Sequence, residues 1–190
     1  MKNKLFSKQL LIIATATVLI SSCKKKDEET QPVATVIVPS DTVTKVFISC
    51  EGKFIGGTGT LSIFNTKTNA TQNDIFKTAN GFDLGNIAQS VSVFNNRVYI
   101  VVNNANKVEV VNDSTIASVA TISGLTGPRY FLGISESKGY ITQWGVTQGQ
   151  IEVVNLTNSA IIKTINCGTG TECMLRKGDF IWQLKTVMNW

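Results

Sequence analysis

The sequence predicts an all-β chain: an incomplete β-propeller of four-stranded antiparallel blades, about three blades plus a fragment in an open arc. Three observations predict it. An aromatic residue followed by Ile recurs in Val46-Phe47-Ile48, Val98-Tyr99-Ile100, Gly139-Tyr140-Ile141 and Asp179-Phe180-Ile181, at steps of 52, 41 and 40 residues. A second run, Lys107-Val108-Glu109-Val110-Val111-Asn112, returns 43 residues later as Gln150-Ile151-Glu152-Val153-Val154-Asn155. Short β-branched strands come about four to a period of about forty residues, the signature of a propeller blade. A β-sandwich also carries strands about every 8–12 residues. It does not require the same aromatic and the same Glu-Val-Val-Asn to return at a fixed interval. A blade cannot bury both faces alone, so it must stack on its neighbours.

Residues 1–22 read as a lipoprotein signal peptide. Lys2, Lys4 and Lys8 precede the apolar run from Leu10 to Ile20, which is short for a membrane span and has secretory flanks. The run ends in Ile20-Ser21-Ser22-Cys23. That tetrapeptide resembles the bacterial lipobox, whose cysteine is lipidated and becomes the new N-terminus; the alternative is an ordinary signal peptide with a chance cysteine. Several acyl chains on Cys23 would anchor the protein stably. Residues 23–44 then form a polar tether. Its start, Lys24-Lys25-Lys26-Asp27-Glu28-Glu29, is a solvated charge run and also resembles the surface-export signal of Bacteroidota lipoproteins. Asp41-Thr42-Val43 and Asp113-Ser114-Thr115 resemble the short O-glycosylation motif of that phylum.

Residues 45–190 are the partial propeller. The aromatic runs are second strands and the Glu-Val-Val-Asn runs third strands, with a looser earlier copy at Thr60-Leu61-Ser62-Ile63-Phe64-Asn65. Fourth strands follow from Ala117 to Ile122 and from Ala160 to Ile165. Weaker first strands precede the aromatics, from Gln89 to Phe94 and from Arg129 to Ile134. Asn112 and Asn155 close the third strands, where a side chain that bonds its own backbone can start a turn. Gly124, Gly127-Pro128 and Gly168 fall in the links between blades, where left-handed or fixed backbone angles are needed.

Composition excludes several functions. The formal charge of +5 includes the three lysines of the signal segment; without them 15 basic side chains face 13 acidic ones. That near-balance gives no support to a nucleic-acid partner, which needs a clustered basic face. Histidine is absent, so Ser-His-Asp triads and His metal sites are excluded. Zinc is disfavoured by three remaining cysteines with no C-x-x-C spacing. Glu51, Glu136, Glu152 and Glu172 form no spaced pair with an acid–base role and read as solvated surface. No catalytic set and no cofactor are expected.

The blade pattern resembles the YVTN/YncE-like propeller family: aromatic-Val strand, Asn-rich turn, V-x-V-hydrophobic-Asn strand, A-T-I strand. The run from Asn80 through Gly81-Phe82-Asp83-Leu84-Gly85 to Ser90 is similar to one branch, the surface-layer-type lipoproteins of Bacteroidota. Some members of that branch capture cobalamin beside a TonB-dependent transporter. The resemblance covers about Lys45 to Ile181 and defines no ligand residues. Such propellers have about seven blades, so the sequence reads as a truncated or frameshifted product, with ring closure by oligomerisation as the alternative.

The family's blade order puts the second-to-third-strand turns and the links between blades on one face. Loops on a rigid scaffold are where binding is expected. The candidate ligand contacts there are Phe54, Gln89, Asn104, Arg129, Tyr130 and Trp144. An aromatic platform beside amide hydrogen-bonders suits a planar polar ligand; inter-blade packing is the equal alternative for Trp144, and turn formation is favoured for the asparagines. Cys167 and Cys173 flank a short loop in an oxidising compartment, leaving a local disulfide and two free thiols both open. The expected function is a lipid-anchored binding protein of the outer membrane, exposed at the cell surface. It would capture a small ligand, a corrinoid being the example the resemblance supplies, for a TonB-dependent transporter. The alternative is a structural or adhesive surface-layer component contacting proteins or glycans.

Overall fold

A computed structural model describes residues 44–145 and 147–186. The signal segment, Cys23, the tether up to residue 43, the first glycosylation-like motif and residues 187–190 lie outside the described residues. Among those described, the chain runs β1 (Lys45–Cys50), β2 (Thr60–Asn65), β3 (Ala70–Gln72), α1 (Ile75–Asn80), β4 (Ala88–Phe94), β5 (Arg97–Val102), β6 (Lys107–Asn112), β7 (Ser118–Ile122), β8 (Pro128–Ser135), β9 (Lys138–Gln143), β10 (Gln150–Asn155), β11 (Ala160–Asn166), β12 (Thr171–Lys177) and β13 (Phe180–Lys185).

Each sheet is an antiparallel meander in chain order: β1-β2-β3, β4-β5-β6-β7, β8-β9-β10-β11 and β12-β13. The two central sheets are complete four-stranded blades of a β-propeller, equivalent strand for strand. Arg97 pairs with Asn112 and Lys138 with Asn155; Tyr99 pairs with Val110 and Tyr140 with Val153. Lys45 pairs with Asn65 in the same way, which places β1 in the second-strand position. The first blade therefore shows three strands among the described residues, not the four the sequence reading expected.

The register corrects one further assignment. Ser92 lies opposite Tyr99, Leu132 opposite Tyr140, and Leu175 opposite Trp182. The fourth aromatic of the repeat is thus Trp182. Phe180 starts its strand as Arg97 and Lys138 start theirs. The slip is two residues, one full pleat, so both aromatics lie on one side of the sheet.

Neighbouring blades meet through their first and second strands: β1 against β4, β4 and β5 against β8, and β8 and β9 against β12. Convergence at the first strands is the propeller's fan. One apolar cluster fills the gap between the complete blades and contains Tyr99, Val101, Val110, Phe131, Ile141 and Val154. Tyr99 stacks on Phe131 with ring centroids 3.8 Å apart and planes 8° apart. A stacked pair adds about 0.5–1.5 kcal/mol beyond its buried area. The opposite face of the same blade, Val98, Ile100, Val102 and Val111, packs on Leu61, Phe76 and Phe47 of the preceding unit. Val98, Ile100, Val101 and Val102 are all fully buried, so β5 is apolar on both faces, as a strand sandwiched between sheets must be.

The turns follow the expected chemistry. The Asn112 carboxamide oxygen accepts the backbone N–H of Ser114 and of Thr115, each at 2.9 Å. Asn155 accepts from Thr157 at 2.9 Å, and Asn65 accepts from Lys67 at 2.9 Å. In the inter-blade links Gly124, Gly127 and Gly168 take φ of 80°, 58° and 76°, the left-handed region a side chain disfavours. The longer first step of the repeat is explained by α1, which plugs the link after β3. Its Phe76 is fully buried, and Gly81 ends it at φ 75° with an N–H bond to the Lys77 carbonyl.

Glu152 departs from the sequence reading, and its counterpart in the repeat shares its setting. Glu152, read as solvated, is 4% exposed, and its counterpart Glu109 is 1% exposed. Both sit mid-way along the third strand. The Glu109 carboxylate accepts from Lys107 Nζ at 2.8 Å and from the Ser118 and Thr121 hydroxyls on β7. Glu152 accepts from Gln143 Nε2 and Thr164 Oγ1, each at 2.7 Å. Hydroxyl and amide donors from the flanking strands replace the lost water, which is what a buried carboxylate requires.

Candidate ligand-binding site

Each link between blades is clasped to the blade it enters. The residue just after the second strand donates its N–H to the residue preceding the first strand: Asn103 to the Ile87 carbonyl at 2.8 Å, Trp144 to Gly127 at 3.1 Å, and Thr186 to Gly170 at 2.8 Å. These clasps fix the loop face. Side chains tighten it: Gln143 Oε1 accepts from Thr126 N at 2.7 Å, and Asn103 Nδ2 donates to the Pro128 carbonyl at 2.9 Å.

Just inside the clasps lies a row of three side chains. Gln89, Arg129 and Glu172 are each the second residue of a first strand, in β4, β8 and β12. Stacking of the blades brings these equivalent positions together. Arg129 Nη1 donates to Gln89 Oε1, and Arg129 Nε donates to Glu172 Oε2 at 3.0 Å. The Arg129 and Glu172 side chains are 15% and 12% exposed, so this pair is shielded and worth more than a surface ion pair. Trp144, held by its clasp, lays its ring under the guanidinium with Cζ 4.2 Å from the ring centroid. Its Nε1–H donates to Glu172 Oε1 at 3.2 Å. Both carboxylate oxygens are therefore engaged, and the guanidinium is held by charge, hydrogen bond and π face at once.

A cleft of about 650 Å³ opens beside this group, lined by Arg129, Tyr130, Trp144, Glu172, Leu184 and Lys185. That volume is in the range of small-ligand sites. The structure thus brings Gln89, Arg129 and Trp144 into direct contact and sets Tyr130 on the cleft wall. Phe54 and Asn104 form a separate group. Asn104 Nδ2 is 3.5 Å and Asn86 Nδ2 3.2 Å from the Phe54 carbonyl oxygen, and the Phe54 ring is 64% exposed.

Glu172 is a functional candidate that the sequence reading placed on the solvated surface. Its partner Arg129 is 43 residues away, and only blade stacking joins them. Identical placement in the repeat was the signal that could have found it. Cys167 and Cys173 are free thiols. Each turns toward a main-chain carbonyl, that of Ile165 and of Met174 respectively, and burial pushes the Cys167 thiol up from its ordinary pKa, keeping it protonated at neutral pH. Among the described residues no group of His, Cys, Asp and Glu is arranged to hold a metal ion. A second cavity, about 400 Å³, lies among β2, α1 and the β6–β7 turn, with Lys45 the one charged residue in its lining.

Residues 44–189 match the family described as "Domain of unknown function (DUF5074)". The chain belongs to the DUF5074 family. No curated protein matches it. Among solved structures the DUF5074 chain is similar to Kuenenia stuttgartiensis hydrazine synthase, with a TM-score of 0.47 and 9% identity, over 60% of this chain and 32% of that one. A likeness so distant carries nothing about chemistry.

Proposed function

We propose that the protein is a lipid-anchored β-propeller of the outer membrane, exposed at the cell surface, which binds a small polar ligand and passes it to a TonB-dependent transporter. It binds and does not catalyse. The observation that carries the reading is the shielded Arg129 held between Gln89, Glu172 and the Trp144 ring at the edge of an open cleft. Polar groups fixed beside aromatic surface, on a rigid scaffold, are what orientation of a flat ligand requires. The resemblance to surface-layer-type lipoproteins makes corrinoids the first ligand class to test, engaging the cleft by one edge. The Ile20-Ser21-Ser22-Cys23 run supports the anchor.

The test is a thermal-shift titration of the full chain with cyanocobalamin and cobinamide. Binding at about a hundred times Kd stabilises the folded state by about 2.7 kcal/mol. A saturable shift in the wild type, lost in Arg129→Ala and in Trp144→Ala, is expected. No shift with either compound removes corrinoids; a shift that survives both substitutions moves the site elsewhere. The anchor is tested separately by Cys23→Ser, which should leave an unprocessed or soluble species; a mature form retained in the membrane fraction would refute lipidation.

A second reading, a surface-layer component that contacts proteins or glycans, is favoured by one feature. Phe54 and Ile55 stand 64% and 84% exposed at the tip of a loop on the same face. Retention on immobilised surface glycan, abolished by Phe54→Ser, would support it over ligand capture.

A further inference from the structure

A polar cleft of about 430 Å³ lies between the two complete blades, at the strand ends remote from the Arg129 group. Arg97 in its lining begins β5, whereas the Asn103 clasp follows the far end of that strand. The floor is the end of the inter-blade core: Tyr99 and Leu156, 2% and 6% exposed, belong to the cluster that joins the blades. The walls are turns. Phe94 pairs with Arg97, so Asn95 and Asn96 make a two-residue hairpin, and their φ of 48° and 56° are the left-handed pair such a turn needs. The Asn96 carbonyl accepts the Asp113 N–H at 3.3 Å. Across the gap Glu136 sits in the β8–β9 turn, which is pinned where the Leu156 N–H donates to the Ser137 carbonyl at 3.0 Å.

Three groups in this lining lack partners. The Tyr99 ring is clamped by its stack on Phe131, so its hydroxyl cannot swing away. That hydroxyl makes no hydrogen bond among the described residues, where no fully enclosed side-chain oxygen or nitrogen goes unpaired. It therefore opens on the cleft that Tyr99 lines. A tyrosine buried this deeply ordinarily finds a partner. Arg97 and Glu136 are the charged residues of the lining, and neither forms an ion pair among the described residues. The Arg97 charge is felt at the Tyr99 hydroxyl: burial raises that pKa and the guanidinium pulls it back down. One wall thus offers two donors to an anion and the other an acceptor to a cation, above an apolar floor. We propose that this cleft binds a free α-amino acid with an apolar side chain. The carboxylate takes the Arg97 guanidinium and the Tyr99 hydroxyl, the ammonium takes Glu136, and the side chain rests on Leu156. A plain anion would leave Glu136 facing it, and a plain cation would meet Arg97.

The experiment is isothermal titration calorimetry of the full chain in a mild non-ionic detergent. The ligands are L-leucine and L-phenylalanine, with 4-methylpentanoate and 3-methylbutylamine as leucine analogues that lack the ammonium and the carboxylate. Saturable heat with the amino acids is expected, and binding at least about tenfold weaker with either analogue. Arg97→Gln, at an exposed position, and Tyr99→Phe, which keeps the ring stack, should each weaken leucine about tenfold or more, as loss of a hydrogen bond to a charged group does. No saturable heat with either amino acid overturns the proposal. So does an analogue that binds as tightly as leucine, and so does binding unchanged in both variants. Glu136→Gln lies in an exposed turn, so it decides even where Tyr99→Phe loses its fold. It should erase the preference for leucine over 4-methylpentanoate, and a preference that survives overturns the proposal.

Discussion

At the position shared by Gln89, Arg129 and Glu172, three different side chains do one job together, and none could do it alone. Removing the Glu172 charge leaves Arg129, 15% exposed, short of its anionic partner. Glu172→Gln should cost about 1.5–3 kcal/mol, the worth of a hydrogen bond to a charged group, read as a lower urea midpoint. A change within about 0.5 kcal/mol, the range of an ordinary surface substitution, would mean the pair is solvated after all. Tyr99 gives a pH test. Burial pushes its hydroxyl pKa above the ordinary tyrosine value, so the folded state holds the proton more tightly than the unfolded chain does. Its stabilising share is complete below about pH 10, the unfolded value, and is lost as pH rises through the folded one. Tyr99→Phe should therefore lose less stability than the wild type between neutral pH and about pH 11. Gln89, Arg129 and Trp144 were legible in the sequence because repeat position and loop placement named them. Glu172 was not, because no short-range pattern joins it to a cation one blade away.

Among the elements, strand and turn assignments were read well where the repeat was tight and poorly where it was loose. Asn65, Asn112 and Asn155 mark turns because a carboxamide can cap the next N–H groups locally. The last aromatic strand was misaligned by two residues because Phe180-Ile181 copies the Tyr-Ile pair, while the Gly178-Asp179 turn sets the true register at Lys177 opposite Phe180. Helix α1 went unread: its six residues are too few to show a period, and Phe76 is its one buried residue. The buried third-strand glutamates were legible as a repeat but not as a core feature, since burial depends on donors from the strands alongside. Glu109→Ala should cost about 3–5 kcal/mol, because it strands Lys107 and opens a gap next to β7. Differential scanning calorimetry gives the comparison; a loss under about 1 kcal/mol would show that water reaches the site.

For the molecule as a whole, the propeller architecture was legible because a blade stacks only on its neighbours, so sequence period becomes spatial period. The same nearest-neighbour logic orders its stability. The β4–β7 blade is covered by an apolar cluster on each face and the β8–β11 blade shares one of the two, while the β12–β13 pair carries five exposed large apolar residues. Native-state hydrogen exchange at low concentration should therefore open β12–β13 and β1 first and β5–β6 last. Phe131→Ala, which removes the partner of Tyr99, should lower protection in β5, β6, β9 and β10 together. Independent loss in one blade only would mean the blades are not coupled through that stack.

Trp144 also makes the cleft optically addressable. Its indole lies against a guanidinium and donates to a carboxylate, whereas Trp182 faces water at 63% exposure. In a Trp190→Phe background, which removes the third tryptophan of the sequence, the two rings should emit at different wavelengths and answer differently to iodide. A ligand that lifts Arg129 off the Trp144 ring would shift the bluer band and leave the redder one unmoved. A change at the β13 face would do the reverse, so in that background one emission spectrum reports which of the two surfaces has been altered.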